Sequence, residues 1–268
     1  MSYSLITRFE DRLSFLYLEF GTISKEDHEI RFSNETQVIQ IPCGYLALLI
    51  LGPGTVITHA AVKEIISSNC SILWSGKDYS KIYSFAAPST SSSKNLMKQV
   101  DCFSNRNLEI ARELFFLRFG KNLESSISIE ALRGKEGLLM KQAYKDLSKI
   151  FNVDWQGRKV FSCTWEDIDF TNQCISIGNS ILYGICGTAI TTIGMSPSLG
   201  FIHSGHTNSF VFDIADIYKI EYTLPIIFEC LSKLEGTSFK IIRTKLREMF
   251  RERKLLEKII SDIQRIIT

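Results

Sequence analysis

The sequence predicts an α+β fold in which an N-terminal β-rich domain is joined by a short linker to a larger all-α domain. Three observations carry this. Apolar residues alternate or run in short blocks through residues 13–85, as strands require, and then recur at helical spacing from residue 105 onward. Between the two regimes, Pro88 to Ser93 holds turn formers with no charge and no bulky apolar side chain. The chain has 268 residues, 45% hydrophobic and 22% charged, which excludes a disordered or fibrous class and suffices for a sizeable core. The expected boundaries are residues 1–87 for the β domain, 88–94 for the linker and 95–268 for the helical domain.

The β domain opens with a strand pattern from Leu13 to Leu18, followed by Gly21 and a charged turn region. Thr36 to Ile41 alternates polar and apolar, as a half-buried strand does. Tyr45 to Leu51 is a continuous apolar run stopped by Gly52-Pro53-Gly54. Thr58 is placed to cap a short helix over residues 59–66. Ser71 to Trp74 and Lys81 to Phe85 read as two more strands. Beyond the linker, helices are expected at Asn105–Phe119, ended by Gly120, and at Ile129–Phe151. Asn172–Ile193 is a third, rich in small residues. Ser209–Ile220 is a fourth, stopped before Pro225, and Phe239–Ile267 makes one or two more.

From Thr171 to Phe212 no Asp, Glu, Lys or Arg occurs. A membrane span needs roughly 20 apolar residues. Here Asn172, Gln173, Ser176, Asn179 and Ser180 interrupt the run, so a buried core helix is expected and no membrane. The cysteines at 43, 70, 102, 163, 174, 186 and 230 show no CxxC spacing. That argues against a zinc ribbon and for reduced thiols in a cytoplasmic setting. No apolar signal core fits the charged first twelve residues.

The segment from Leu199 to Asp216 carries the densest chemistry. Ser209 is the expected N-cap of a helix that holds Asp213 and Asp216 three residues apart, on one face and flanked by apolar residues. Two such carboxylates either serve a metal or catalytic site, or favour the helix N-terminus and face water. His203, in the Gly/Ser loop before them, would add one imidazole, a ligand mix suited to Mn²⁺ or Mg²⁺. Glu136, between Gly134 and Gly137, is a candidate for the missing carboxylate, and the two glycines hint at close approach of another backbone or a ligand. Near the C-terminus, Arg243, Arg247, Arg251, Lys254 and Lys258 recur at helical spacing. They read as a solvated face or as a stripe that tracks phosphates.

Together, Leu51-Gly-Pro-Gly-Thr, Thr58-His-Ala-Ala-Val, Trp74-Ser-Gly, Leu117-Arg-Phe-Gly120, Leu132-Arg-Gly-Lys-Glu136-Gly, Asn172-Gln-Cys-Ile-Ser, Leu182-Tyr-Gly and Gly200-Phe-Ile-His203 with Phe212-Asp213-Ile-Ala-Asp216 resemble the CRISPR adaptation integrase family. The type I-E branch is the nearest, and the likeness covers nearly the whole chain in order. It implies that the helical domain is catalytic, inserting foreign DNA into a CRISPR array by attack of a 3′-hydroxyl on a repeat-border phosphodiester. Glu136, His203 and Asp216 fall on the family's metal ligands for Mg²⁺ or Mn²⁺, and Asp213 on its further acidic position. DNA contacts fall on Phe20, Lys81, Tyr183, His206, Arg243, Arg247 and Arg251. Phe20 stands where relatives stack a tyrosine on the duplex end, Lys81 where they carry an arginine, and His206 where they carry a basic residue. The resemblance also implies a homodimer, two of which work with a dimer of a small ferredoxin-like partner. The DNA would be a duplex with single-stranded 3′ ends, together with repeat DNA. Docking through a long C-terminal tail is not expected. A mainly structural DNA-binding subunit and a general nuclease for branched DNA are the competing readings.

The near-neutral net charge of +2 conceals a division. Residues 1–239 hold 22 basic and 25 acidic groups, whereas residues 240–268 hold 9 and 4. A polycation is excluded, but a local nucleic-acid surface near the C-terminus is not.

Overall fold

The computed structural model describes residues 12–27, 29–77, 82–90, 92–124, 126–158, 165–233 and 237–267. Its N-terminal part is built on two sheets. One has the order β1 (Leu13–Leu18), β5 (Leu46–Leu51), β7 (Ser71–Ser75), β8 (Ile82–Ala86), with β1, β5 and β7 mutually parallel and β8 antiparallel. The other has the order β4 (Val38–Ile41), β3 (Glu29–Ser33), β2 (Gly21–Glu26), β6 (Thr55–Ile57). The continuous apolar run of β5 is explained by burial on both faces. Leu46, Leu49 and Leu51 join the core between the sheets and α1 (His59–Ser67). Ala47, Leu48 and Ile50 join the core of the helical part.

The hairpin of β2 and β3 replaces the charged turn expected after Gly21. Its charges resemble those of a loop, yet Ile23, Ile30 and Phe32 are buried on one face, where Lys25 reaches Glu64 of α1 at 2.7 Å, while Glu26, Glu29 and Arg31 occupy the other. The expected caps and stops are partly realised: Thr58 Oγ1 accepts from Ala61 N at 3.2 Å, and Gly120 ends a helix at φ +62°.

Between β8 and the first helix of the C-terminal part lie residues 87–93. The helices are α2 (Lys94–Asn105), α3 (Asn107–Phe119), α4 (Ile129–Ile150), α5 (Phe170–Thr192), α6 (Ser209–Tyr218), α7 (Leu224–Ser232), α8 (Phe239–Glu252) and α9 (Leu255–Ile266). α7 lies outside every helix the spacing predicts, and so does α2, since the first helix predicted beyond the linker begins at Asn105. A break at Arg106 (φ −130°) separates α2 from α3. The expected stop before Pro225 is a π-helical turn, Lys219–Thr223, that carries the chain from α6 straight into α7. Pro225 lies in the first turn of α7 and offers no N–H to the turn before it, and that turn is the π-helical one.

α5 is the central helix. It is long and apolar enough to cross a membrane, but 78% of that stretch is buried within the protein. Its small residues let other elements approach. A methyl on Gly184 would meet Leu48 Cδ2 at 2.9 Å and Leu73 Cδ1 at 3.1 Å, so α5 rests directly on β5 and β7. The same core therefore spans sheet and helices without a break.

Candidate active site

Three helices and one loop meet at a cluster of charge. Arg118 comes from the last turn of α3, Glu136 from α4, Asp216 from α6 and Lys219 from the π-helical turn. Arg118 Nη1 donates to Glu136 Oε1 at 3.1 Å and to Asp216 Oδ2 at 3.0 Å. Lys219 Nζ pairs with Asp216 Oδ1 at 2.5 Å and donates to Tyr183 Oη at 2.6 Å. Tyr183, expected as a DNA contact, thus lies at this cluster, edge-on to Phe212.

His203 belongs to the loop between α5 and α6. That loop is pinned from several sides. Gln99 of α2, fully buried, bonds Ser196 O and Leu199 O at 3.0 Å and accepts from Ser196 N at 2.8 Å. Arg133 of α4 donates to Ile202 O and to Ser204 Oγ. Asp213 closes the loop from α6, accepting from the backbone N–H of Phe201 at 2.5 Å, Ile202 at 3.1 Å and His203 at 2.9 Å. Its Oδ1 also takes His203 Nδ1 at 2.7 Å.

A methyl on Gly200 would meet His203 O and Ser209 C at 2.7 Å and Asp213 Oδ2 at 2.9 Å. Only glycine fits there, which accounts for the Gly-Phe-Ile-His pattern. Ser209, expected as N-cap, is the first helical residue, and Asn208 is the cap. The Ser209 hydroxyl turns back onto His206, donating to its carbonyl at 2.7 Å.

Asp213 and Asp216 therefore divide their tasks. Asp213 is 2% exposed and spends both oxygens on the loop, so a water-facing role for it is overturned. A carboxylate on Nδ1 draws the proton of the neutral ring to that side, so the lone pair of neutral His203 falls on Nε2, the arrangement that metal-ligating histidines share. Burial disfavours charge on His203, yet the hydrogen bond and charge of Asp213, with Asp216 and Glu136 beyond, raise its pKa. Burial pushes the Glu136 carboxyl up, against the pull of Arg118. Burial acts the same way on Asp216, but Lys219 and Arg118 outweigh it and hold that carboxyl low.

Two carboxylates and an imidazole are the right donor types for Mg²⁺ or Mn²⁺. Among the described residues, however, no three His, Cys, Asp or Glu side chains stand close enough together to hold an ion. Arg118 lies between two of the expected ligands instead. Gly134 and Gly137 show no close backbone approach; a methyl on either would point into open space. In the sequence Arg118 stands only as part of Leu117-Arg-Phe-Gly120, with no role of its own, and Lys219 belongs to none of the motifs. The legible signal was Lys219, the first basic residue after the 42 residues from Thr171 to Phe212 that hold no Asp, Glu, Lys or Arg.

The remaining expected contacts form a second region. Phe20 is 62% exposed at the β1–β2 turn. It lines a cleft of about 460 Å³ together with Tyr17, Lys240, Arg243 and Arg247. The Arg243 guanidinium sits 4.4 Å from the centre of the Tyr17 ring. Arg247 and Arg251 line an adjoining cleft against Ile39 to Pro42. The single basic stripe ends at the break between α8 and α9, where Lys254 has φ +47°. Lys254, the N-cap of α9, pairs with Glu257 at 3.4 Å and Lys258, on α9, with Asp262 at 3.3 Å, so both lie off α8 and next to acids. His206 is exposed, accepts from Asn208 N at 3.0 Å and tilts against Phe212. Lys81 and Cys163 lie outside the described residues; the other six cysteines are buried and free.

The family described as CRISPR associated protein Cas1 matches residues 116–264. A CRISPR-associated endonuclease Cas1 of Thermus thermophilus is 35% identical over 260 residues, covering 96% of this chain and 80% of that protein. The CRISPR-associated endonuclease Cas1 of Escherichia coli K12 is 34% identical over 261 residues, covering 96% and 86%. Among solved structures, a TtCas1–DNA complex superposes with a TM-score of 0.84 at 33% identity, covering 94% of this chain and 91% of the other. A casposase bound to its integration product shares the fold, with a TM-score of 0.75 at 15% identity and coverage of 94% and 90%.

Proposed function

The chain belongs to the Cas1 family of CRISPR-associated proteins, and we propose that it is a divalent-metal-dependent DNA endonuclease and integrase that inserts foreign DNA into a CRISPR array. The observation that carries this reading is the convergence of Glu136 and Asp216 on one point, beside a histidine whose Nε2 is left free by the Asp213 bond. Relatives named as endonucleases, and one solved with DNA, support it.

In the proposed reaction a 3′-hydroxyl oxygen of the incoming DNA forms a bond to phosphorus at the repeat border, and the bond to the old 3′-oxygen breaks. Glu136, His203 and Asp216 are the residues that would hold Mg²⁺ or Mn²⁺. Such an ion, when bound, polarises the phosphoryl oxygen and stabilises charge on the attacking or leaving oxygen. The protein's own contribution is positioning. Asp213 fixes the tautomer and ring of His203, and the pinned loop holds that ring in place. Lys219 and Arg118 hold Asp216 ionised, and Lys219 orients the Tyr183 hydroxyl beside it. Phe20 offers a ring on which a terminal base pair stacks, and Arg243, Arg247 and Arg251 meet phosphates. The same reading includes a homodimer, a small ferredoxin-like partner and a cytoplasmic setting.

The test is strand transfer of a labelled duplex with 3′ overhangs into a repeat-bearing plasmid, with the partner and Mn²⁺ or Mg²⁺. Glu136→Ala and His203→Ala are expected to abolish it while binding persists. Equal transfer by wild type and either variant refutes the site. Cleavage of branched DNA with no transfer under any condition favours the general nuclease.

A further inference from the structure

We propose that Arg118 is a resident cation in the place between Glu136 and Asp216 that a divalent ion takes, so that metal entry requires its displacement. The inference rests on the metal-dependent reading above. One nitrogen, Nη1, bridges both carboxylates at 3.1 and 3.0 Å, and the Arg118 side chain is 4% exposed. Mg²⁺ sits at about 2.0–2.1 Å from its oxygen ligands. A nitrogen at about 3 Å from each fills the place between them, in accord with their failure to meet as a group of three among the described residues.

The guanidinium is not locked in place by a full set of bonds. Its Nε is buried without a hydrogen-bond partner, an arrangement that a rearrangement can relieve. Lys219 meanwhile claims the other oxygen of Asp216. With both cations in place, the two carboxylates are already neutralised, and an added ion leaves the site with excess positive charge. A DNA phosphodiester cancels that excess, and the displaced guanidinium is a ready donor for it. Arg118 thus acts as a positioning residue that links metal binding to DNA binding. In the DNA-free protein the ion competes with a tethered cation; with DNA present the competitor has a new partner.

The experiment is Mn²⁺ binding by calorimetry and paramagnetic resonance on the full chain, with and without a short duplex bearing 3′ overhangs. Arg118→Gln is expected to bind Mn²⁺ roughly tenfold or more tightly than wild type without DNA, as removal of a competing charge predicts. DNA should tighten Mn²⁺ binding in wild type and much less in the variant. Added guanidinium ion should weaken Mn²⁺ binding in Arg118→Gln and leave wild type unchanged, a rescue that a merely structural role does not produce. Equal affinities of the two proteins in DNA-free buffer overturn the proposal. If neither protein binds Mn²⁺ under any condition, the metal-dependent reading itself fails. Should Arg118→Gln not fold, Arg118→Lys carries the test, because an ammonium spans one carboxylate and should give an intermediate affinity. A wild-type affinity in folded Arg118→Lys overturns the proposal equally.

Discussion

Asp213 shows how much one side chain can organise. It satisfies three backbone N–H groups and one imidazole with two oxygens, and so converts a Gly/Ser loop into a rigid support for His203. Asp213→Asn should keep the volume and lose that control, because an amide presents a donor where two donors already point. A fall of about 10–100-fold in strand transfer is expected, as for other partners of metal ligands, with a changed His203 tautomer in ¹⁵N spectra. An unaltered tautomer would refute this role. Glu136 makes a prediction about stability. Its folded-state pKa is raised by burial, against the pull of Arg118. The folded state therefore holds the proton more tightly than the unfolded chain. Stability falls as pH rises from the unfolded value through the folded one, and the loss is complete above the folded pKa. In chelator near pH 7, Glu136→Gln should melt at or above the wild-type temperature, with the gap closing below about pH 4. A lower melting temperature for the variant at pH 7 would show the Arg118 pair to be net stabilising instead.

At the scale of elements, α5 decides where the others go. Its glycines permit contact that a larger residue forbids, and Gly184 is the point where helix and sheet touch. Gly184→Val would drive two branches into Leu48 and Leu73. Such overpacking costs about 1–3 kcal/mol, read as a lowered denaturant midpoint. An unchanged midpoint would show that β5 and β7 can yield. Apart from α2 and the nine-residue α7, the helices were legible in the sequence because their apolar residues recur at helical spacing over several turns. The β2–β3 hairpin and α2 were not, for a related reason. Both are amphipathic elements whose outer faces are strongly polar, and over five to twelve residues a polar face looks like a loop. The π-helical turn was likewise illegible. Pro225 announces an interruption, but only the packing of Tyr222 and Thr223 in the core decides that the chain passes through it helically.

Across the whole molecule, the β domain and α8 share one cleft that brings Phe20 beside Arg243 and Arg247. These positions are more than 220 residues apart in sequence. Arg247→Ala should weaken DNA binding and flatten the slope of log affinity against log salt by about one unit, since one phosphate contact releases about one counterion. Lys258→Ala should leave the slope unchanged, because Lys258 neighbours Asp262 on α9. Equal slopes for wild type and Arg247→Ala would return that residue to an ordinary solvated face.

By itself the sequence determined the class of fold, the periods of its main strands and helices and the kinds of ligand atom available at Glu136, His203, Asp213 and Asp216. These are local properties, set by spacing along one element and by the chemistry of single side chains. Only the tertiary structure decided how the charges meet. Arg118 reaches Glu136 and Asp216 across 18 and 98 residues because α3, α4 and α6 pack together, and the two aspartates of one helix face different partners. Spacing places neighbours within a helix, but burial decides which of them needs a counter-charge, and the element that supplies it comes from elsewhere in the chain.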